Sequence, residues 1–393
     1  MLSATHSARD GLVLVAGNAM SATLQPVVRT SKVVVVGLGN IGSNTVQLLA
    51  GIDGVDGVTL IDHDHYDTSN LYKQRIGPKD VGKQKVDVQA RALRKLAPDL
   101  PVAAWACPFA AVPLGRLRDS VILACVDSRI ARQSINQAAF WLGIPWIDAG
   151  LDRAGSVRAR IYIPGAGNDC MECAYSASDY ALLEQRVPCD AASFLVPATA
   201  APAELGAIAA GLQVSQLRRL LSAGTAEQRA ELARQQYFYD AASGRGWVGR
   251  YSANPDCRFD HMRLPVQRLA RSAQEITLRE ISMLAGAAGG AAVLSVAGHT
   301  FVRRVHCTGC GQARKVRTQL LARLRRTPCG RCGGAMLPAA PDVFETLSLT
   351  APDAPRLARR LSEFGLVDGD VISLHAGDKT AHYELAGINE EKS

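Results

Sequence analysis

Long apolar runs are missing from this 393-residue chain, and no stretch approaches the roughly 20 residues a membrane-crossing helix needs. The first residues, MLSATHSARDG, lack the basic-then-apolar pattern of a signal peptide, which sets the expectation of a cytoplasmic protein with no membrane partner. Internal repeats and long low-complexity tracts are absent too, which argues against a solenoid or a disordered scaffold. Charge is not extreme: the formal +8 permits an acidic partner without demonstrating one. What is present is a chain 48% hydrophobic and 20% charged, typical of a folded protein and long enough for two or three domains. It also holds ten cysteines, six of them in CxxC pairs, which in a reducing compartment point to metal before disulfides.

The segment KVVVVGLGNIGSNTVQLLAG reads as a buried β-branched strand, a glycine turn and a helix. GVTLID follows as a second strand, residues 80–97 as a helix stopped by Pro98, VILACVD as a third strand, IARQSINQAAFWLG as a helix and IPWIDAG as a fourth strand. Strands alternating with helices predict an α/β fold: a Rossmann-like, mostly parallel sheet. A further strand over 158–163, a small-residue helix (AELGAIAAGLQVSQLRRLL) and a hairpin (YFYDAASGRGWVGRY) complete the first domain, residues 1–265. Residues 266–299 read as a linker with one short helix, opened by a Thr277/Glu280 capping box. Residues 300–338 carry the double CxxC pattern of a zinc ribbon. Residues 339–393 read as a small α+β domain of one strand, one helix and two strands.

Gly37, Gly39 and Gly42 form GxGxxG between a strand and a helix, where backbone amides and the helix N-terminus face a bound phosphate. Asp62 closes the next strand, where a carboxylate can hold ribose hydroxyls. These features alone suit a dinucleotide or ATP. A hydride-transfer site needs only that acid, yet here Asp64, Asn70, Lys73 and Gln74 follow, and then Lys85 in GKQK. Two lysines and an amide directed at one phosphate region suit a triphosphate, and Asp127, ending VILACVD, is placed to hold Mg²⁺.

With GLGNIGS, LIDHD, SNLYKQ, GKQK, CVDSRIARQSIN and CMEC in order, residues 30–265 resemble the ThiF/MoeB/ubiquitin-activating (E1-like) adenylation family. That resemblance implies ATP-dependent activation of the C-terminal carboxylate of a small β-grasp protein. It implies that Gly37, Gly39 and Gly42 cradle phosphate and that Asp62 and Asp64 serve ribose and metal. Asn70, Lys73, Gln74 and Lys85 would contact the phosphates, Asp127 the magnesium, and Arg132 and Asn136 match the following helix. Lys85, Lys73 and Asp127 are thereby catalytic candidates. Three departures stand out. Lys73 replaces the usual arginine and loses its bidentate fork. Ser128 replaces the usual asparagine. The N-terminal R-x-x-R-Q element that lends an arginine to a partner subunit is not visible, although Arg9 or Arg29 could substitute. Family members usually pair as homodimers.

Cys170 and Cys173 need two further ligands for a closed tetrahedral zinc site, and NPDCRFDH offers Cys257 and His261. Cys307, Cys310, Cys329 and Cys332 have C-x₂-C-x₁₈-C-x₂-C spacing, so two structural Zn²⁺ sites are expected. The basic residues around the ribbon suit an acidic protein or solvent; with few aromatics beyond Phe301, nucleic acid is disfavoured. Cys125 and Cys107 read as buried. Cys189, in the polar segment VPCDAAS within 174–200, lies where the ubiquitin-charging branch of the family carries its thioester nucleophile. His63, His65 and His299 show no ligand spacing and read as surface or site-rim groups.

Four functions compete. The first is an E1-like enzyme that adenylates a ubiquitin-like protein and passes it through Cys189 to an E2-like protein. The architecture resembles a bacterial ubiquitin-like conjugation E1 of antiphage operons, with the tail as a small domain for E2 docking. The second is a sulfur-carrier adenylyltransferase of the ThiF/MoeB type. An NAD-dependent dehydrogenase and a zinc-ribbon nucleic-acid adaptor are disfavoured, because the phosphate and metal residues go beyond the needs of the one and are too complete for the other.

Overall fold

The computed structural model describes residues 14–15, 31–151, 155–165, 168–184, 201–284, 292–325, 327–349 and 354–386. Two units divide the chain: residues 22–109 with 117–263, and residues 1–21 with 110–116 and 264–393.

After a short strand β1 (Leu14–Val15), the larger unit begins with β2 (Ser31–Val36), α1 (Asn40–Leu48), β3 (Val55–Ile61), α2 (Lys85–Leu96), β4 (Val102–Trp105) and β5 (Ser120–Ala124). It continues with α3 (Arg129–Leu142), β6 (Trp146–Leu151), β7 (Ser156–Tyr162), α4 (Ala177–Glu184), α5 (Ala203–Ser222), α6 (Ala226–Ala233), β8 (Gln235–Asp240) and β9 (Arg245–Arg250). One eight-stranded sheet runs β4-β3-β2-β5-β6-β7-β8-β9. The first five strands are parallel, and β6 through β9 pair antiparallel. The continuous Val/Ile/Leu composition of β2 and β5 is what a strand covered on both faces requires. Val33, Val35, Val121 and Leu123 point into a core shared with α1, α2 and α5. The chain leaves β2 for β3 on one side and, later, enters β5 on the other. The carboxyl ends of β2 and β5 therefore form a switch point, where crossing connections diverge and leave a crevice.

Gln213, fully buried on the apolar α5, ties this architecture together. Its Nε2 donates to the carbonyls of Ala124 on β5 and Ile147 on β6, both at 3.0 Å. Its Oε1 accepts from Thr45 of α1 at 3.0 Å and from the Cys125 thiol at 3.2 Å. Cys125 is core, as its apolar strand predicts, and burial pushes its thiol up to about 12. Cys107 is half-buried.

The second unit contains β10 (Val266–Leu269), α7 (Leu278–Leu284), β11 (Ala292–Val296), β12 (Phe301–Cys307), β13 (Ala313–Leu320) and β14 (Met336–Pro338). Then follow β15 (Val343–Phe344), β16 (Thr346–Ser348), α8 (Ala354–Leu357), β17 (Val371–Ala376) and β18 (Lys379–Leu385). A six-stranded sheet, β1-β10-β18-β17-β11-β16, packs its apolar face on Ile276, Leu278, Ile281, Leu361 and Phe364. The ribbon is a separate sheet, β13-β12-β14, with β15 also on β12. Residues 110–116 belong here as well: Gly115 N–H donates to Gly369 O at 2.7 Å, and the Arg323 guanidinium donates to Ala111 O. Among the described residues no helix is long and apolar enough to cross a membrane.

Three local expectations change. The stretch read as a linker contributes β10 and β11 to the second sheet. The helix expected from residue 80 starts only at Lys85, because residues 82–85 hydrogen-bond back to 64–66: Gly82 N–H donates to Tyr66 O, Tyr66 N–H to Lys83 O and Lys85 N–H to Asp64 O. The tail helix expected over APRLARRLSEFG is cut to one turn, because Arg360 bridges Thr277 and Leu361 N–H donates to Ile276 O. The chain then closes in a tight turn on left-handed Gly365.

Gln213→Leu removes the partner of two strand carbonyls and of the Thr45 hydroxyl. It is expected to lower stability by about 2–4 kcal/mol, read from the urea unfolding midpoint at constant slope. A loss below about 0.5 kcal/mol would contradict the clamp.

Candidate functional site: the glycine turn and two cysteine clusters

Each glycine of the turn meets a different demand. Gly37 sits at φ +88°, and a Cβ there would lie 2.7 Å from the Cys125 carbonyl oxygen, so the turn passes directly over the end of β5. A Cβ on Gly42 would fall 1.9 Å from Gly37 O, so only glycine lets α1 start this close to the strand. Among the described residues, a Cβ on Gly39, the residue before α1, would meet nothing within 4 Å, so none of them blocks the amides of the helix N-terminus from an anion.

Asp62, buried at the end of β3, braces the turn. Its Oδ2 accepts from Leu38 N–H at 2.7 Å and its Oδ1 from Asp64 N–H at 2.9 Å. Each oxygen keeps a second lone pair for a hydroxyl donor. Asp64 is exposed and pairs with Lys85 Nζ at 3.0 Å, while Lys85 itself is buried at the first position of α2. His63 Nε2 lies 3.3 Å from Asp64 Oδ1, at the exposed rim. Asp62, His63 and Asp64 bring three possible donor atoms within 4.8 Å. Glycine turn, Asp62, Asp64 and Lys85 are thus one hydrogen-bonded chain.

The other phosphate candidates follow on the 67–74 turn. Asn70 Oδ1 accepts from Asp67 N–H at 3.0 Å, and Asp67 Oδ1 accepts from Ser69 N–H at 2.7 Å. Lys73 and Gln74 both donate their backbone N–H to Asn70 O. Gln74 Oε1 is buried without a partner; by turning over, the amide presents an NH₂ donor at the same place. Asp127 is exposed just beyond β5, two residues from the carbonyl that Gly37 overlies. Ser128 caps α3, accepting from Ala131 N–H at 3.3 Å. Arg132 and Asn136 are occupied elsewhere: Arg132 Nε pairs with buried Asp148 at 2.7 Å, and Asn136 Oδ1 accepts from Met171 N–H at 3.3 Å. They join α3 to β6 and to the first CxxC turn. The segment bearing Cys189, together with Arg9 and Arg29, lies outside the described residues.

Three residues the sequence reading did not single out support the site. Tyr66, buried, donates its hydroxyl to Leu38 O at 2.9 Å, and Gln89 Nε2 donates to Tyr66 Oη at 2.8 Å. Burial holds the Tyr66 phenol well above its usual range, so it remains a donor. Arg75 Nε donates to Asn44 Oδ1 on α1 at 2.8 Å, and its backbone N–H donates to Ser43 Oγ. The available signal was Gln89, an amide four residues after Lys85 on the apolar face of α2.

Both cysteine clusters come together. Cys170 Sγ lies 3.8 Å from Cys257 Sγ and 3.1 Å from His261 Nε2, and Cys173 Sγ is 3.5 Å from the same nitrogen. His261 adopts φ +53° and packs against Phe140 and Phe259, which aim its ring. In the ribbon, Cys307 and Cys332 lie 3.4 Å apart and Cys310 and Cys329 3.7 Å apart. Sulfurs about 2.3 Å from a tetrahedral zinc lie about 3.8 Å from each other. A Cβ on Gly334 would approach Cys307 Sγ to 3.1 Å, which reserves that position in the knuckle for glycine. Thiolate and imidazole donors at these spacings fit zinc. It would tie the turn at 170–173 to residues 257–261, and the β12–β13 turn to the one before β14.

The profile of the ThiF family matches residues 15–259. Ubiquitin-like modifier-activating enzyme 5 of Gallus gallus is 25% identical over 263 residues, covering 63% of this chain and 64% of that protein. Adenylyltransferase and sulfurtransferase UBA4 of Yarrowia lipolytica is 31% identical over 151 residues, 37% of each chain. A crystal structure of E. coli MccB superimposes with a TM-score of 0.47 at 22% identity, covering 59% of this chain and 67% of that one. The chain spans about half to just under two thirds of the length of the enzyme 5 relatives.

Two zinc ions per chain are expected by elemental analysis of protein purified without chelator, and Cys310→Ser should retain one. Zinc equal to wild type in that variant would remove the ribbon site.

Proposed function

The chain belongs to the ThiF family, and from that premise we propose that it is an E1-like adenylyltransferase acting on the C-terminal carboxylate of a ubiquitin-like protein. The observation that carries this reading is the continuous chain from Leu38 through Asp62 and Asp64 to Lys85, with bonds of 2.7, 2.9 and 3.0 Å. It sets a buried ammonium group and a brace of carboxylates beside an open helix N-terminus. A site for two bridging phosphates would need only the acid.

In this reading the amides of the Gly37–Gly42 turn and the Lys85 and Lys73 ammonium groups hold the triphosphate, assisted by Asn70 and Gln74. Asp62 takes the ribose hydroxyls with its remaining lone pairs. The hard carboxylate oxygen of Asp127, with Asp64, fits Mg²⁺, which when bound neutralises charge on the departing pyrophosphate. A carboxylate oxygen of the protein substrate attacks the α-phosphorus, the bond to the bridging oxygen breaks and pyrophosphate leaves with that electron pair. The product is a mixed anhydride with AMP. Lys85, held in place by Asp64, stabilises the charge gained by the leaving group with little reorganisation.

The finer proposal adds transfer. The Cys189 thiolate attacks the acyl carbon, AMP departs, and the thioester is handed to an E2-like protein docked on the second unit of a cytoplasmic homodimer. A role in a bacterial conjugation operon belongs to the same proposal, supported by the zinc ribbon and small tail that follow the adenylation unit. The second reading, a sulfur-carrier adenylyltransferase, is supported by the Yarrowia relative, whose name joins the two activities.

ATP–pyrophosphate exchange that depends on a β-grasp protein ending in glycine is the expected activity. Lys85→Ala or Asp127→Ala should lower it at least about 100-fold. Cys189→Ala should leave exchange intact and remove only a reducible adduct; full transfer by that variant would favour the sulfur-carrier reading. NAD⁺ binding without affinity for ATP would overturn both.

A further inference from the structure

Between residues 300 and 338 the chain has nine Lys and Arg and no Asp or Glu, whereas the remainder has 35 basic and 36 acidic residues. The whole net positive charge of the protein is therefore concentrated in the ribbon, and the charge of a zinc tetrathiolate offsets only part of it. The distribution on the sheet is as uneven. Arg304 and Lys315 stand directly opposite each other across β12 and β13, where like charges disfavour the pairing. His306, two residues along β12 from Arg304, shares its face by the alternation of a strand, and exposed Arg317 lies in the β13 bulge that follows Lys315. β13 is the edge strand of this sheet.

Neighbouring acids answer only some of these charges. Asp342 takes Arg303 and His306, Asp370 takes Arg323, and Glu363 takes Arg317 in an exposed pair of little strength. Among the described residues, Arg314, Lys315, Arg325 and Arg331 form no ion pair, and Arg304 interacts with Asp342 only at longer range, since Arg303 and His306 already occupy that carboxylate. A charged edge does deter unwanted strand pairing, but one lysine achieves that. It does not require eight arginines and the exclusion of every acid.

We propose that the β12–β13 face of the ribbon, centred on the opposed Arg304 and Lys315, binds the phosphate backbone of a nucleic-acid duplex without regard to sequence. Charge selects a polyanion, and three features select this one. Protein interfaces are anchored by apolar and aromatic groups at their centre, yet the only large hydrophobic exposed among the described ribbon residues is Leu337. Arginine outnumbers lysine eight to one, and its planar fork suits phosphate. Phe301 is fully buried and Phe344 stacks on it, so no exposed aromatic offers the stacking that single strands use. The scarcity of aromatics that argued against nucleic acid in the sequence thus bears on single strands alone. The small apolar core of Val302, Val305, Cys307, Cys329 and Met336 holds the face rigid.

The test is fluorescence anisotropy of the full-length, zinc-replete chain with labelled DNA and RNA duplexes of about 20 base pairs and the matching single strands, titrated with salt. Each phosphate contact contributes about 0.9 to the slope of log affinity against log salt. The double variant Arg304→Gln/Lys315→Gln should therefore show a slope shallower by about 1.8. Over a fourfold rise in salt, wild type should lose roughly tenfold more affinity than the variant. Zinc content, thermal melting and carrier-dependent pyrophosphate exchange should match wild type. If that variant fails to fold, Arg325→Gln/Arg331→Gln should flatten the slope in the same direction. Binding of both duplexes, or of one kind only, supports the proposal and identifies the source. No duplex binding at low salt, an unchanged slope in a folded variant, preference for single strands, or stronger binding of polyglutamate would overturn it.

Discussion

The nucleotide region depends on a backbone crossing that leaves no room for side chains. α1 starts against the Gly37 carbonyl, and Gly37 itself lies on the carbonyl of Cys125. A packed interior cannot absorb an added methyl group at such separations without moving the strand or the helix. Because the crossing is so close, the open side of the helix N-terminus falls at the diverging ends of β2 and β5. Asp62 and Tyr66 then hold Leu38 by its N–H and its carbonyl, so the turn between the first two glycines is braced from β3 and, through Gln89, from α2. The turn is thus held by hydrogen bonds within the protein itself, and donors held in place in that way need no reorganisation to act on a ligand.

Buried amides do much of the organising. Gln213, Gln89 and Asn136 each sit on a helix and reach polar groups of other segments: Gln213 the ends of β5 and β6, Gln89 the Tyr66 hydroxyl through its NH₂, and Asn136 the first CxxC turn through its carbonyl. Gln213, satisfied on both of its functions, specifies one arrangement, because sliding α5 by a residue would strand several donors and acceptors at once. Arg132 serves the same end through Asp148. Arg132 and Asn136, which lie in a stretch matching the family pattern, are thus engaged with protein partners, whereas Lys85 is linked to the glycine turn through Asp64 and Asp62.

The chain also distributes its charge unevenly: outside residues 300–338 the 35 basic and 36 acidic residues nearly balance. The ribbon carries the net charge of the whole chain on a frame with a very small apolar core and four cysteines brought together. A frame of that size would gain its rigidity from ligand geometry more than from buried area.

Legible in the sequence, from residue type and spacing, were the features that state a backbone demand: GxGxxG between strand and helix, the alternating order of the parallel sheet, and the two CxxC pairs of the ribbon. It also brought Cys257 and His261 to Cys170 and Cys173 by ligand arithmetic, and the structure places all four donors together. Only the tertiary structure decided which strands residues 266–299 would form, where the tail helix would stop, and which polar residues would brace the glycine turn. Tyr66 reaches Leu38 across 28 positions of chain, Gln89 reaches Tyr66 across 23 and Gln213 reaches Thr45 across 168, so no local period records them. A periodic pattern reports how one segment meets a surface; which buried hydrogen bonds are completed depends on the other segments that arrive there.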